Sequence, residues 1–494
     1  MSIKKALSKP FARFIVNKIK KWSVEPEKTQ NIVFQQLIKG LRQTKFGIEH
    51  HADQIHTYED FKKNIPIRDY EDLKPWIERV VMGEQDVLWK GKPIYLAKTS
   101  GTTSGAKYIP ITKDSISNHI DSARNAILTY INRTGKTDFV DGKMIFLQGS
   151  PILTQKSGIN TGRLSGIVAH HVPQYLLKNR MPSWEVNCIE DWEEKVTQIA
   201  HETLNQRMTL ISGIPPWVQM YFEKLIESSG KQNIKEIFPD FNLFIYGGVN
   251  YEPYRAKIEN SIGRKVDSIE TYPASEGFIA YQDGEAGEGL LMVLNHGIFY
   301  EFIPAENYFD NNPPRLSIHD VELNKNYAVI INSNAGLWGY SIGDTVKFVS
   351  KYPHRIVVTG RIKHFISAFG EHVIGEEVEA ALREAVAKHP CRISEFTVAP
   401  QVNPKEGLPY HEWFIEFEQV PENLEAFAQE IDLNLQHKNV YYKDLITGNI
   451  LKPLVIKSLT PNTFVEYMKK EGKLGGQNKL PRLSNDRKIA DKLL

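Results

Sequence analysis

Lys98-Thr99-Ser100-Gly101-Thr102-Thr103-Ser104-Gly105-Ala106-Lys107 is the stretch on which the reading of this chain turns. Between Ser100 and Ala106 four hydroxyl residues and two glycines occupy seven positions, with a lysine on either side. Glycine lets successive backbone N–H groups turn toward one centre and the hydroxyls add donors, so such a loop can wrap a polyphosphate. The flanking lysines can neutralise part of its charge. The spacing approaches G-x-x-x-x-G-K-[ST], but Ala106 stands where the second glycine belongs and Tyr108 where the final hydroxyl belongs. Tyr108-Ile109-Pro110-Ile111 then reads as a strand, whereas a Walker loop opens a helix. The segment therefore joins two strands, and by itself it is either a phosphate cradle or a solvated connection.

Around this loop the chain alternates short apolar strands with helical stretches, the pattern of a mixed α/β architecture. Strands are predicted at Lys143–Gln148, Leu210–Ser212, Leu243–Tyr246, Lys265–Glu270, Gly289–Leu294, Tyr327–Asn332, Thr345–Val349 and Arg355–Thr359, and helices at Ile116–Thr129, Trp192–Asn205, Pro215–Ser228 and Tyr254–Ser261. Residues before about Asp86 read mainly as helix. After Gly360 the texture changes to a compact α+β pattern: a helix over His372–Lys388, strands at Phe396–Ala399 and Trp413–Phe417, and a helix over Leu424–Leu435. The expected organisation is a large N-terminal α/β domain of mixed sheets and helices, 1–360, and a small C-terminal α+β domain, 361–494.

Composition narrows the function. With 61 Lys+Arg against 59 Asp+Glu in 494 residues, the net charge of +2 supplies no field for a nucleic acid partner. No run approaches the ~18–20 apolar residues that span a bilayer. Cys188 and Cys391 stand alone, which excludes a Cys-x-x-Cys site and suits a cytoplasmic protein. Met1–Trp22 carries seven Lys or Arg and apolar residues at Leu7, Phe11, Ile15, Ile19 and Trp22. That spacing predicts a helix whose stripe either packs on the body or makes weak contact with an anionic membrane surface, without stable insertion.

Further segments have chemical readings of their own. Tyr246-Gly247-Gly248 leaves a strand, and its glycines either let backbone approach a base or make a tight turn. Thr271-Tyr272-Pro273-Ala274-Ser275-Glu276 follows another strand. Tyr272 offers a flat face for adenine or is a core tyrosine, Ser275 can donate to an α-phosphate, and Glu276 can hold Mg²⁺ or is an exposed loop acid. In Tyr340-Ser341-Ile342-Gly343-Asp344 the acid is expected in a turn between strands, able to accept two ribose hydroxyls. Arg361 and Lys363 lie past a strand end, where cations reach ribose and phosphate.

Taken in order, these motifs resemble the acyl-adenylate-forming superfamily: the hydroxyl-rich phosphate loop, the glycine pair, the Tyr-to-Glu element, the Tyr-x-x-Gly-Asp element and the Gly360-Arg361-Ile362-Lys363 hinge. His364-Phe365-Ile366-Ser367-Ala368-Phe369-Gly370-Glu371 and Gln477-Asn478-Lys479-Leu480-Pro481-Arg482 resemble one branch of it, the auxin-responsive acyl-acid amido synthetase family, named in plants and with bacterial relatives of about this length. The chain resembles such a bacterial member. Pro273 and Ser341 depart from the family pattern, Ser341 by replacing an arginine that would partner Asp344.

The resemblance implies a two-step reaction. A carboxylate attacks the α-phosphate of ATP, giving acyl-adenylate and pyrophosphate; an amine, typically of an amino acid, then displaces AMP. It implies ATP and Mg²⁺ at the site, with Glu276 as metal ligand and Glu276, Lys363 and Lys479 as catalytic residues. Nucleotide contacts would come from Ser100, Gly101, Thr102, Thr103, Ser104, Lys107, Gly247, Gly248, Thr271, Tyr272, Ser275, Asp344 and Arg361. Lys473 competes with Lys479 for the adenylation role. Phe146–Ser150 and Ser212–Trp217 outline an acyl pocket in which Pro215, Pro216 and Trp217 either form an apolar wall or start a helix. An acyl-CoA-type ligase and a non-catalytic nucleotide binder are the alternatives.

Overall fold

A computed structural model describes residues 3–99, 107–248, 251–362, 365–366, 373–402, 404–447, 451–474, 480–484 and 487–494. The chain starts in helices, as its apolar spacing predicts: Ile3–Ser23, Pro26–Leu41, Tyr58–Asn64 and Tyr70–Val81. Thr57 with Asp60, and Asp69 with Asp72, form capping boxes that satisfy the open N–H groups of the last two. The first helix packs the later part of its expected stripe, Ile15, Ile19 and Trp22, on the body, but not the earlier part. Ala12, Val16 and Ile19 are buried, Ala12 and Ile19 in a cluster with Ala126 and Ile131 of the Ile116–Thr134 helix, while Leu7 and Phe11 are exposed. A small residue such as Ala12 lets two helices approach closely, which a count of large apolar residues overlooks.

The described residues form an eleven-stranded mixed sheet, ordered Ile298–Pro304, Asn326–Ser333, Tyr340–Lys351, His354–Arg361, Leu290–Met292, Gly277–Gln282, Asp267–Ala274, Leu243–Gly247, Met208–Ser212, Lys143–Phe146, Arg180–Met181. The strands from Asp267–Ala274 to Arg180–Met181 run parallel, linked by the helices Trp192–Thr203, Pro215–Ser229 and Glu252–Ile262; the others pair antiparallel. A second, four-stranded sheet pairs Tyr95–Thr99 with Lys107–Ile111, so Thr99 faces Lys107 across the mouth of the hydroxyl-rich loop.

Two strands of the large sheet escape a search for alternation, because both faces are covered. Gly277–Gln282 is buried along its whole length, and Ile298–Pro304 buries even its central Glu301. Another expectation is corrected outright. Asp344 does not sit in a turn: Tyr340–Lys351 is one continuous strand, in which Gly343 takes a left-handed φ of +79° and Asp344 pairs with Arg361. A kink at glycine turns the local path without ending the ladder.

The large sheet parts at one place. Leu290–Met292 pairs with the His354–Arg361 strand only at Leu290–Ile356 and Leu291–Arg355. From Val357 to Arg361 that strand keeps only its other neighbour, down to the Asp344–Arg361 pair. The tip of the hairpin formed by Asp267–Ala274 and Gly277–Gln282 lies past the other end of Leu290–Met292 in the ladder, and side chains alone bring it to the Tyr340–Lys351 strand.

After Arg361 a separate core begins. Helices Gly375–Lys388 and Leu424–Lys438 pack Val378, Ala385, Ile431 and Leu435 onto Trp413 and Ile415 of a sheet made by Arg392–Gln401, Tyr410–Gln419 and Val455–Leu459. The helix predicted from His372 begins at Gly375, because Val373–Ile374 is a short strand. Lys257–Glu418 (2.7 Å), Lys347–Glu376 (2.8 Å) and Lys469–Glu193 (2.6 Å) tie this unit to the rest.

Glu301 gives the large sheet a stability test. It is fully buried and receives Arg315 (2.8 Å), Tyr58 (2.8 Å) and Asn332 (2.9 Å), so the helical start of the chain is tied to the sheet edge through one carboxylate. Arg315→Met leaves that charge without its cation, and urea denaturation should show a loss of about 3–5 kcal/mol. Combining it with Glu301→Leu should recover most of the loss; no recovery would mean that Arg315 acts through its packing on Phe61 instead.

Candidate active site

The parting in the sheet gathers the residues that the sequence singles out. On one lip, the Asp267–Ala274 strand carries Thr271 and Tyr272, and Ser275-Glu276 forms the two-residue turn at the hairpin tip. Pro273 is accommodated within the ladder, opposite Phe278. On the other lip stand Tyr340, Asp344 and Arg361. Tyr272 donates its hydroxyl to Asp344 Oδ2 at 2.6 Å, Arg361 Nε donates to Asp344 Oδ1 at 2.6 Å, and Tyr340 Oη lies 3.4 Å from Glu276 Oε1. Ser341 takes the hydroxyl of Tyr308 (2.8 Å), and Arg361 supplies the charge partner that Ser341 does not.

Burial bears on two of the readings. Tyr272 is 7% exposed and packs in the main core, with its hydroxyl holding Asp344. Burial first and the Asp344 charge second push its phenol well above its ordinary range, so it acts only as a donor. Trp217 likewise packs inward, its ring 4.2 Å from that of Trp192, and Pro215 is the first residue of the Pro215–Ser229 helix. Trp217 is therefore core and not an open pocket wall. The two predicted pocket edges are neighbours all the same, because Phe146 pairs with Ser212 at the ends of parallel strands.

The glycine pair divides its work. A Cβ on Gly247 would meet the Thr271 carbonyl oxygen at 2.2 Å, so this glycine lets two parallel strands close up; Gly248 takes a φ of +78° as the chain leaves the sheet. Thr271 Oγ1 donates to the Tyr246 carbonyl (3.0 Å) and fastens the same crossing.

Lys107 begins its strand over the ring of Tyr70, 5.1 Å from the centroid, and its charge reaches Glu276. Tyr70 in turn accepts the Tyr108 N–H at 2.9 Å. Desolvation raises the pKa of Glu276 and Asp344 adds to the rise, opposed by a backbone hydrogen bond, Arg361 and Lys107. Tyr70 and Tyr340 were not nominated as site residues. Tyr340 was detectable, since it opens the Tyr-x-x-Gly-Asp element, whereas Tyr70 lies on an ordinary amphipathic helix and nothing local marks it.

Ser100, Gly101, Thr102, Thr103, Ser104, Lys363 and Lys479 lie outside the described residues. The segments next to them are placed. Pro481 and Arg482 run beside the Arg392–Gln401 strand, with Thr397 Oγ1 donating to the Pro481 carbonyl (2.7 Å) and Arg482 bound to Glu395 and Glu379. Glu395 also takes the hydroxyl of Tyr254 (3.4 Å), on the helix that follows the glycine pair. Lys473 sits just past the Thr463–Lys470 helix, its N–H on the Met468 carbonyl (2.8 Å).

Comparison with known proteins places the chain in a family. The N-terminal, central and C-terminal domains of the GH3 family match residues 15–186, 291–361 and 376–488, in chain order. The chain belongs to the GH3 family. Among curated relatives, jasmonoyl–L-amino acid synthetase JAR4 of Nicotiana attenuata is 24% identical over 61% of this chain and 62% of its own length. Jasmonoyl–L-amino acid synthetase GH3.5 of Oryza sativa is 24% identical over 86% of this chain and 87% of its own. Of solved structures, GH3.15 acyl acid amido synthetase superposes with a TM-score of 0.81 at 16% identity, covering 97% of this chain and 95% of that one. A 2-hydroxyisobutyryl-CoA ligase in its postadenylation state superposes at 0.62 and 12% identity, covering 94% and 90%. The GH3 chain thus has the adenylate-forming α/β fold, a large mixed-sheet part with a small C-terminal part.

The raised pKa of Glu276 has a consequence for stability. Above the ordinary carboxylate range the unfolded chain has released a proton that folded Glu276 retains, so stability falls as pH rises through the raised value. Glu276→Gln should therefore raise the melting temperature of the ligand-free GH3 protein near neutral pH and leave it unchanged at about pH 4. A lower melting temperature at neutral pH would show that the carboxylate is stabilised in the fold.

Proposed function

We propose that the parting in the sheet is the adenylation site of this GH3 protein. The protein is an acyl acid amido synthetase, an ATP-dependent acid–amino acid ligase. The observation that carries the site assignment is the pinning of Asp344 between Tyr272 and Arg361 beside Glu276, on two lips that no ladder joins. Each Asp344 oxygen accepts one protein donor and keeps a lone pair, which suits it to the two hydroxyls of a ribose. Thr271, Gly247 and Gly248 border the adenine side. The Ser100–Ser104 loop, Lys107, Ser275 and Arg361 take the phosphates, and Lys363 and Lys479 bring further cations, with Lys473 the alternative to Lys479.

Among the described residues no group of three or more His, Cys, Asp or Glu can hold a metal. Magnesium commonly takes only one or two carboxylates and completes its shell with phosphate and water oxygens, so a lone recessed Glu276 fits it. When bound, Mg²⁺ neutralises phosphate charge. The chain's own residues position and neutralise. A carboxylate oxygen of the acid attacks the α-phosphorus, and the bond to pyrophosphate breaks. The nitrogen of an amino acid then attacks the acyl carbon, loses a proton, and the bond to AMP breaks. Both steps draw on orientation and fixed charge.

We take 1–360 and 361–494 as the two moving units, hinged at 361–363. Support comes from the large sheet's final strand ending at Arg361 and the separate core that follows. The free cysteines Cys188 and Cys391 support a cytoplasmic protein.

ATP–pyrophosphate exchange with Mg²⁺ across aromatic, indolic and aliphatic acids tests the site. Exchange should require an acid and should fall by about 100-fold or more in Glu276→Ala and in Asp344→Ala. Release of AMP on adding amino acids, and none on adding CoA, should follow. Silence across the panel despite ATP binding would overturn adenylation, and CoA-dependent AMP release would replace the amine with a thiol.

A further inference from the structure

The N-terminal helix Ile3–Ser23 is attached to the body by one face and offers solvent a second apolar one. Ala12 and Ile19 are buried against the Ile116–Thr134 helix, while Lys4 reaches Asn179 (2.7 Å) and Lys5 reaches Asp138 (3.0 Å). With its position so fixed, the helix leaves Leu7 62%, Phe11 45% and Phe14 54% exposed. At 3.6 residues per turn these three fall within about 60° of one another, and Lys18 and Lys21 continue the same stripe. Lys18 lies over the Phe14 ring, 4.3 Å from its centroid. Lys9, Arg13 and Lys20 are exposed on the far side of the helix, and no Asp or Glu occurs from Ile3 to Ser23.

We propose that this helix is a peripheral membrane-docking element that lays Leu7, Phe11 and Phe14 into the interface of an anionic bilayer, with Lys18 and Lys21 on the lipid headgroups. Charge selects this occupant. The charges in line with the stripe, Lys18 and Lys21, are both positive, so a second copy docked on it about a twofold axis would set like charges against like. An anionic lipid surface complements both the apolar stripe and these lysines. Among the described residues no helix is long and apolar enough to cross a membrane, so the contact is one of lying on the surface. The proposal is independent of the adenylation chemistry.

Co-sedimentation of the full chain with phosphatidylcholine vesicles, with and without phosphatidylserine, tests it. The protein should pellet with the anionic vesicles only, and raising the salt to about 1 M, where the Debye length is about 3 Å, should release it. Phe11→Ser with Phe14→Ser should abolish pelleting while leaving the melting temperature and ATP–pyrophosphate exchange unchanged. Lys18→Glu with Lys21→Glu should weaken it by about five-fold or more per cation, and serves if the first variant misfolds. No pelleting, equal pelleting on neutral vesicles, or retention by both variants would overturn the proposal. So would a dimer in light scattering that the Phe11 and Phe14 substitutions dissolve.

Discussion

The site depends on one suture across a gap. The Tyr272 and Asp344 strands are separated in the large sheet by three others, yet the two side chains meet at 2.6 Å. Leu290–Met292, which lies between those strands, pairs with the His354–Arg361 strand at only two positions. Side chains join the two lips, Tyr272 on Asp344 and Tyr340 by Glu276, with Arg361 bracing Asp344.

The suture also sets the electrostatics. Two carboxylates and two cations share a recess in which desolvation works against charge. Asp344 is matched by Arg361, whose own pKa rises chiefly through that carboxylate. Among the described residues Glu276 has a backbone hydrogen bond, the weak contact with Tyr340 and the more distant Arg361 and Lys107, and burial outweighs them, so its proton is held more tightly. A carboxyl whose charge the surroundings penalise in this way weakens the ligand-free fold. The small C-terminal unit meets the same region through the Tyr254–Glu395–Arg482 chain, which links the helix after the glycine pair to the terminal Pro481-Arg482 segment.

Motifs with local chemistry were legible in the sequence. The strand after the hydroxyl-rich loop ruled out a Walker helix, and the hairpin Tyr95–Thr99/Lys107–Ile111 is there. The Thr271–Glu276 and Tyr340–Asp344 elements could be marked, but not how they meet. Asp344 was read as a turn residue because Gly-Asp is turn chemistry, and a glycine kink inside a long strand has the same local signature. Gly277–Gln282 and Ile298–Pro304 lacked alternation because they are covered on both faces.

From its residues alone, then, this chain declared an α/β architecture, a phosphate-type loop and the acids and cations of a nucleotide site, because periodicity, turn chemistry and charge are local properties. Only the tertiary structure decided which of them meet and in what role. Tyr272 and Trp217 are buried, Tyr340 meets Glu276, Tyr70 lies under Lys107, and Leu7, Phe11 and Phe14 face water. Each of those outcomes depends on what packs against a side chain from far along the chain, and no spacing in a single sequence records that.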